Sequence, residues 1–169
     1  PLNKEYIITG IQTSKDEIYI IKDFTLEGRY IFFSKNGKQW KVEQEACKPY
    51  ISDSLRITSF QILKPDSFLI FPYWLDKEGN SIILDQDMFK SKFPNTFKYL
   101  SFFKTELMNR GVLPPILNNS NDFYKYGRSQ NILTLKKFPK LILTVNQKGD
   151  KYAVDGKGIY FTSGGTAGE

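Results

Sequence analysis

The hydrophobic pattern of this 169-residue chain changes period after Leu84, and that change bounds the fold it can adopt. Before it, apolar residues gather in short runs rich in β-branched and aromatic side chains, which suit a pleated, half-buried surface. Tyr6-Ile7-Ile8 leads to Gly10, and Glu17-Ile18-Tyr19-Ile20-Ile21-Lys22 follows a polar turn at Thr13-Ser14-Lys15-Asp16. Both runs read as strands. Residues 29–33 and 39–42 flank Asn36-Gly37, a dipeptide that favours a two-residue hairpin. Lys48-Pro49-Tyr50-Ile51 reads as a proline-punctuated loop. Phe68-Leu69-Ile70-Phe71 suits a buried strand ended by Pro72, and Glu78-Gly79-Asn80 turns into a strand over 81–84. Then Phe97, Leu100, Phe103 and Leu107 recur every three or four residues, which predicts an amphipathic helix over about 95–109. Gly111 closes it and Pro114-Pro115 prevents its resumption. Strands over 140–145, 151–154 and 158–161 follow. The expected fold class is α+β: a strand-rich domain with one main helix and short additional ones.

A chain of this length is expected to form a single domain, residues 1–169, with a real hydrophobic core. The polar stretch 118–122 reads as a surface loop, because hydrophobic patterning resumes at once. Hydrophobic residues make up 40% and charged residues 25%, the balance of a soluble globular protein. No apolar run approaches the ~20 residues of a membrane helix. The start at Pro1 and the glycine-rich end suggest a piece of a longer protein.

The single cysteine, Cys47, excludes an intrachain disulfide and fits a reducing cytoplasm. With no histidine in the chain, Ser-His-Asp and Cys-His catalysis, His-Asn-His nuclease chemistry and histidine-containing zinc sites are excluded. Cys47 is therefore read as a small packing residue.

Net charge is +6, which suits a polyanionic partner, because each cation set against a phosphate releases condensed counterions. Lys136, Lys137, Lys140, Lys148 and Lys151 crowd the last third, with Arg128 just before them; a solvated face accounts for such a cluster equally well. The most informative segment is Tyr124-Lys125-Tyr126-Gly127-Arg128-Ser129-Gln130-Asn131. Arg donates two hydrogen bonds to guanine O6 and N7, and Gln or Asn pairs with adenine N6 and N7. Gly127 allows close backbone approach or a sharp turn. An ordinary polar turn is the alternative. Gly10-Ile11-Gln12-Thr13-Ser14 is a glycine-led polar loop, by chemistry alone a plain turn. Gly164-Gly165-Thr166-Ala167-Gly168 offers backbone amides to a phosphate but lacks a P-loop lysine. Most phenylalanines sit at core spacing, leaving Tyr126 and Trp74 as the exposed rings expected to stack on bases. No catalytic residue and no metal site is expected. At Thr144-Val145-Asn146-Gln147-Lys148, Asn146 stands where a metal-dependent nuclease needs a carboxylate.

Read in order, these segments resemble the C-terminal specificity domain of the TaqI-like and Eco57I-like adenine-N6 DNA methyltransferases, including fused restriction–modification enzymes. The resemblance begins over 10–21. It continues through Lys48-Pro49-Tyr50-Ile51 with Arg56, Leu69-Ile70-Phe71-Pro72-Tyr73, and Phe93–Leu100 on to Leu107 and Arg110. It ends with Tyr126–Asn131, Pro139-Lys140 and Tyr160–Thr166. It implies a domain that reads double-stranded DNA while a separate N-terminal methyltransferase domain transfers a methyl group from S-adenosylmethionine. The chain holds no Asn-Pro-Pro-Phe/Tyr-type motif and no glycine-rich cofactor segment, so it is expected to carry no cofactor itself. The residues expected at DNA are Arg128, Gln130 and Asn131, with Ser129 and Tyr126 beside them. Lys136, Lys137 and Lys140 are expected on phosphates, and Thr13, Ser14, Gly164, Gly165 and Thr166 in loops facing the duplex. A fragment with its own nuclease activity, or a basic protein-interaction domain, are the competing readings.

Overall fold

The computed structural model describes residues 10–52, 61–62, 64–75, 81–110, 122–127, 140–143, 152–157 and 160–161. Among them helices and strands are mixed, as the α+β expectation holds, and the strands form small sheets rather than one large one. The first element departs from expectation. Residues 17–22 are not one strand but a helical turn, α1 (Asp16–Tyr19), feeding a short strand, β1 (Ile20–Ile21). The cause lies just upstream. Ser14 takes a positive φ of 63°, and the Thr13 hydroxyl donates to Asp16 Oδ1 at 2.5 Å while accepting the Lys15 amide at 3.1 Å. This polar knot curls the chain, and the Lys15 carbonyl takes the Ile18 and Tyr19 amides. Local hydrogen bonding by Thr and Asp thus outcompetes the β-propensity of the apolar run.

β2 (Phe24–Glu27), β3 (Tyr30–Lys35) and β4 (Lys38–Glu43) form an antiparallel meander. Its β3–β4 turn is the expected Asn36-Gly37 hairpin, both residues at positive φ (51° and 71°), as a type I′ turn requires. The stretch read as a proline loop is instead a strand, β5 (Cys47–Ile51), in a sheet ordered β1-β7-β5-β12 with β7 (Ser67–Ile70) and β12 (Tyr160–Phe161). Pro49 pairs with Phe68 of β7, and among the described residues β12 pairs with Tyr50 and Ile51, beyond the residue that lacks an N–H. Between them lies β6 (Gln61–Ile62). A hairpin of β8 (Tyr73–Leu75) and β9 (Ser81–Ile83) follows. β10 (Lys140–Leu143) and β11 (Tyr152–Asp155) pair antiparallel, and β11 runs parallel to β6.

The predicted helix over 95–109 is divided. α2 (Gln86–Lys92), capped by Asp85 accepting the Asp87 and Met88 amides, precedes α3 (Pro94–Phe102) and α4 (Lys104–Met108). At Phe103 the amide reaches back to Leu100 (3.1 Å), the tighter turn that interrupts an α-helix. The break spares the apolar seam: Leu100, Phe103 and Leu107 are all buried. Phe103 instead gains ring contacts with Tyr99, Trp40 and Phe102 at centroid distances of 5.2, 6.4 and 5.0 Å.

The core is unusually aromatic. Tyr19, Tyr50, Tyr99, Tyr124 and Tyr126 are wholly buried, with Phe89, Phe103 and Phe123. Tyr hydroxyls bury well only when bonded. Tyr19 donates to the Tyr124 carbonyl (2.8 Å), Tyr99 to that of Ile18 (2.9 Å), Tyr124 to that of Leu84 (2.6 Å), and Tyr126 to that of Ile70. Each bond joins segments far apart in sequence. Cys47 sits buried in this core as the expected packing residue, its thiol pushed well up by burial, with the Glu43 carboxylate adding to the rise.

Candidate nucleic-acid interface

Two of the polar segments singled out by sequence meet in space. The Gly127 amide donates to the Thr13 carbonyl at 3.0 Å, so the loop 10–14 lies against the segment that leads into Arg128. The Lys125 amide turns back on the Asp122 carbonyl at 2.9 Å.

Arg110 holds this junction from within. Only 7% of it is exposed. Its guanidinium donates to the Thr13 carbonyl (3.5 Å), the Tyr19 hydroxyl (3.3 Å), the Phe123 carbonyl (3.4 Å) and the Lys125 carbonyl. No carboxylate among the described residues pairs with it. The fork geometry of the guanidinium explains why an arginine does this work, since it can serve several carbonyls in one plane. Tyr73 adds a further tie, its hydroxyl accepting the Tyr126 amide at 2.7 Å. Residues 122–127 are therefore a fixed platform, tied to the loop 10–14, to Arg110 and to Tyr73.

That platform corrects the reading of Tyr126. It was expected to be an exposed stacking ring, but it is fully buried, edge-on to Tyr19 at 5.1 Å and beside Tyr73 at 4.9 Å. Its alternation with Tyr124 places both rings inward. Burial pushes its phenol well above the ordinary range. Thr13 is also buried, its hydroxyl spent on Asp16 and Lys15, so what it offers the junction is its carbonyl rather than its side chain. Ser14, next to it, is exposed at the turn. Trp74 is 45% exposed, as expected. Lys140 opens β10 opposite Asp155 in β11. Arg128, Ser129, Gln130, Asn131, Lys136, Lys137, Gly164, Gly165 and Thr166 lie outside the described residues.

Sequence reasoning gave no role to a second polar surface, along the outer edge of the meander where β4 meets α3. It is organised by Glu43, at the end of β4. One carboxylate oxygen accepts the Asn95 amide (3.0 Å) and side chain (2.6 Å); the other accepts the Thr96 amide (2.9 Å) and hydroxyl (2.6 Å). α3 has no side-chain cap of its own, so Glu43 supplies one from a strand about fifty residues away. Burial pushes this carboxyl upward, but the hydrogen bonds from Thr96 and Asn95 outweigh it and hold its pKa below the usual value. An open groove of about 320 Å³ follows, lined by Phe32, Gln39, Trp40, Lys41, Asn95 and Lys98. Local sequence alone gave no signal for it, because Lys41 and Lys98 belong to different elements.

The described residues form no cluster of metal-binding side chains, and none of their helices is long and apolar enough to cross a membrane. The class the fold and site define is thus a mixed α+β domain with an aromatic core and a rigidly anchored polar segment. No family model matches the chain. It is similar to the Escherichia coli protein named "Type II restriction enzyme and methyltransferase RM.Eco57I", at 31% identity over 173 aligned residues. The match takes in 99% of this chain but only 17% of that protein's length. The chain thus aligns with a domain-sized part of that protein.

Proposed function

We propose that this chain is the DNA target-recognition domain of an adenine-specific methyltransferase or fused restriction–modification enzyme. A separate N-terminal domain would bind S-adenosylmethionine and transfer its methyl group to adenine N6. The observation that carries the reading is the match itself: nearly all of this chain aligns with about a sixth of a protein named as both restriction enzyme and methyltransferase. A segment without an Asn-Pro-Pro-aromatic motif or a glycine-rich cofactor loop is suited to the recognition share of that work rather than the chemical one.

The geometry supports the same assignment. Base readout needs donors and acceptors held to a fraction of an ångström, and side chains projecting from a rigid base achieve this best. Arg128, Ser129, Gln130 and Asn131 follow directly on Gly127, whose amide is tied to Thr13. In this reading Arg128, Gln130 and Asn131 meet base edges. Lys136, Lys137 and Lys140 hold phosphates, fixing register without reading sequence, and Ser14 with Gly164, Gly165 and Thr166 borders the duplex. The net charge of +6 favours the encounter with DNA in the cytoplasm. Tyr126 and Thr13 belong to the platform rather than to the contact.

The test is Arg128→Ala in the full-length enzyme, with binding measured on the cognate duplex and on a duplex with the site scrambled. Loss of a bidentate guanine contact costs about 1–3 kcal/mol, roughly 5- to 150-fold in affinity, for the cognate duplex only. Unchanged cognate binding would remove Arg128 from base readout. Cleavage of plasmid by this isolated chain with Mg²⁺ would favour the nuclease reading instead.

A further inference from the structure

The meander ends at β4, and the backbone along the outer edge of that strand has no part in recognition through residues 126–131. The Gln44 amide donates to the Arg29 carbonyl at 2.9 Å, one residue past the pair Tyr30 and Glu43 on each strand, so that pair is a non-hydrogen-bonded one. Bonded and non-bonded pairs alternate along an antiparallel ladder. Val42 and Trp40 therefore spend their N–H and C=O groups on Ile31 and Phe33, whereas those of Glu43, Lys41 and Gln39 point away from β3. α3 closes the edge at one end, where the Thr96 hydroxyl accepts the Glu43 amide at 3.1 Å. Farther along it leaves the edge open. The groove of about 320 Å³ lies there, lined from β4 by Gln39, Trp40 and Lys41 and from α3 by Asn95 and Lys98. No strand among the described residues pairs with β4 on that side.

Lysines on an edge strand commonly guard it against pairing. Here they stand to either side of the edge. The Lys41 ammonium is 4.9 Å from the Tyr30 ring centroid on the outer face, and that of Lys38 is 4.1 Å from the Phe102 centroid on the helix face. Lys98 is exposed on α3, and no carboxylate among the described residues lines the groove. We propose that an extended acidic peptide of another protein adds antiparallel to β4 along this edge, bonded to the backbone of Gln39 and Lys41 and drawn in by Lys38, Lys41 and Lys98. Its residues opposite Gln39 and Lys41 fall on the outer face, where an acidic one meets the Lys41 ammonium, and the residue between them faces the α3 side. A second copy of the chain suits the edge poorly, because pairing β4 with itself sets these lysines against their own kind. A nucleic-acid backbone also suits it less well. A phosphate accepts from the edge amides but has no donor for the edge carbonyls, and a peptide answers both. The proposal stands independently of the role assigned to Arg128.

The probe is a fluorescein-labelled hexapeptide alternating glutamate with valine, titrated with the full chain at low salt and read by anisotropy. Saturable binding is expected. Methylating the glutamate amides removes the N–H groups that face β4 and should weaken binding at least about tenfold. Methylating the valine amides leaves the charge unchanged and touches only N–H groups that face away, so it should cost less than about threefold. Lys41→Gln with Lys98→Gln should weaken the unmodified peptide about fivefold. The control pair Lys22→Gln with Lys90→Gln removes the same charge from exposed sites that do not line the groove, and should cost less than about twofold. Absence of saturable binding, valine methylation as harmful as glutamate methylation, or equal loss in the two lysine pairs would overturn the proposal. So would a DNA duplex that displaces the peptide with the same dependence on Lys41 and Lys98, which would make the edge a nucleic-acid surface. None of these outcomes touches the Arg128 test, so the two ideas fail separately.

Discussion

Replacing Glu43 tests how this domain fastens its helices to its meander. The carboxylate meets four donors, two of them first-turn amides of α3 that nothing else among the described residues caps. Hydrogen bonds to a charged acceptor contribute about 1.5–3 kcal/mol when counted singly. Four donors on one carboxylate are not additive, and loss of a helix cap alone costs about 0.5–2 kcal/mol. Glu43→Ala should therefore lower stability by about 3 kcal/mol, or roughly 6–12 °C in Tm for a domain of this size. Glu43→Gln keeps the shape and one acceptor, but its NH₂ must face either the Asn95 donors or the Thr96 donors, so a loss of about 1–2 kcal/mol is expected. Urea unfolding followed by Trp40 emission in a Trp74→Phe background reads this directly, since the indole packs on Tyr99 of α3. The pH dependence gives a second reading. The folded-state pKa is depressed, so the stabilisation is fully present above the unfolded value of about 4.3 and is lost as pH falls through the folded value. The gap between wild type and Glu43→Gln should be flat from neutrality to about pH 5 and close on further acidification. A glutamine variant as stable as wild type at pH 7, or a gap that persists unchanged at strongly acid pH, would refute the reasoning.

Two further outcomes follow from the buried groups. Arg110→Met takes the guanidinium from the Phe123 and Lys125 carbonyls, and should lower the local opening energy of 122–127 by about 1–3 kcal/mol. Amide exchange at Gly127 would then quicken roughly 5- to 150-fold with exchange in β3 unchanged, whereas uniform acceleration would mean global destabilisation instead. Cys47, buried and with its thiol pushed up, should resist iodoacetamide in the native protein at pH 8 and react promptly in urea. Stoichiometric labelling without unfolding would contradict its placement.

The legible parts of the fold were those set by short-range chemistry. Asn36-Gly37 specifies its hairpin because both residues tolerate positive φ, and the apolar run before Pro72 is the buried strand its composition implies. The misread parts are those where tertiary contacts decided. Pro49 reads as a loop until the reach of β12 is known. The seam Leu100–Phe103–Leu107 reads as one helix because periodicity does not register a single tightened turn. Tyr126 reads as exposed because its bonding partners, Ile70 and Tyr73, lie more than fifty residues upstream. The clamp by Arg110 and the β4–α3 groove were hidden for the same reason: each is assembled from segments that no local pattern connects.

The two parallel pairings among the described residues carry a kinetic consequence. β12 docks beside β5 and β11 beside β6, in each case across roughly a hundred intervening residues, so the early partners must wait for the late ones. While a ribosome is still making the last third of the chain, one edge of β5 has no neighbour to satisfy it. Such an edge is an invitation to association with other nascent chains. Yield on overexpression should therefore depend on how soon the closing strands arrive, and chains shortened ahead of β11 should accumulate as aggregates rather than as smaller soluble domains.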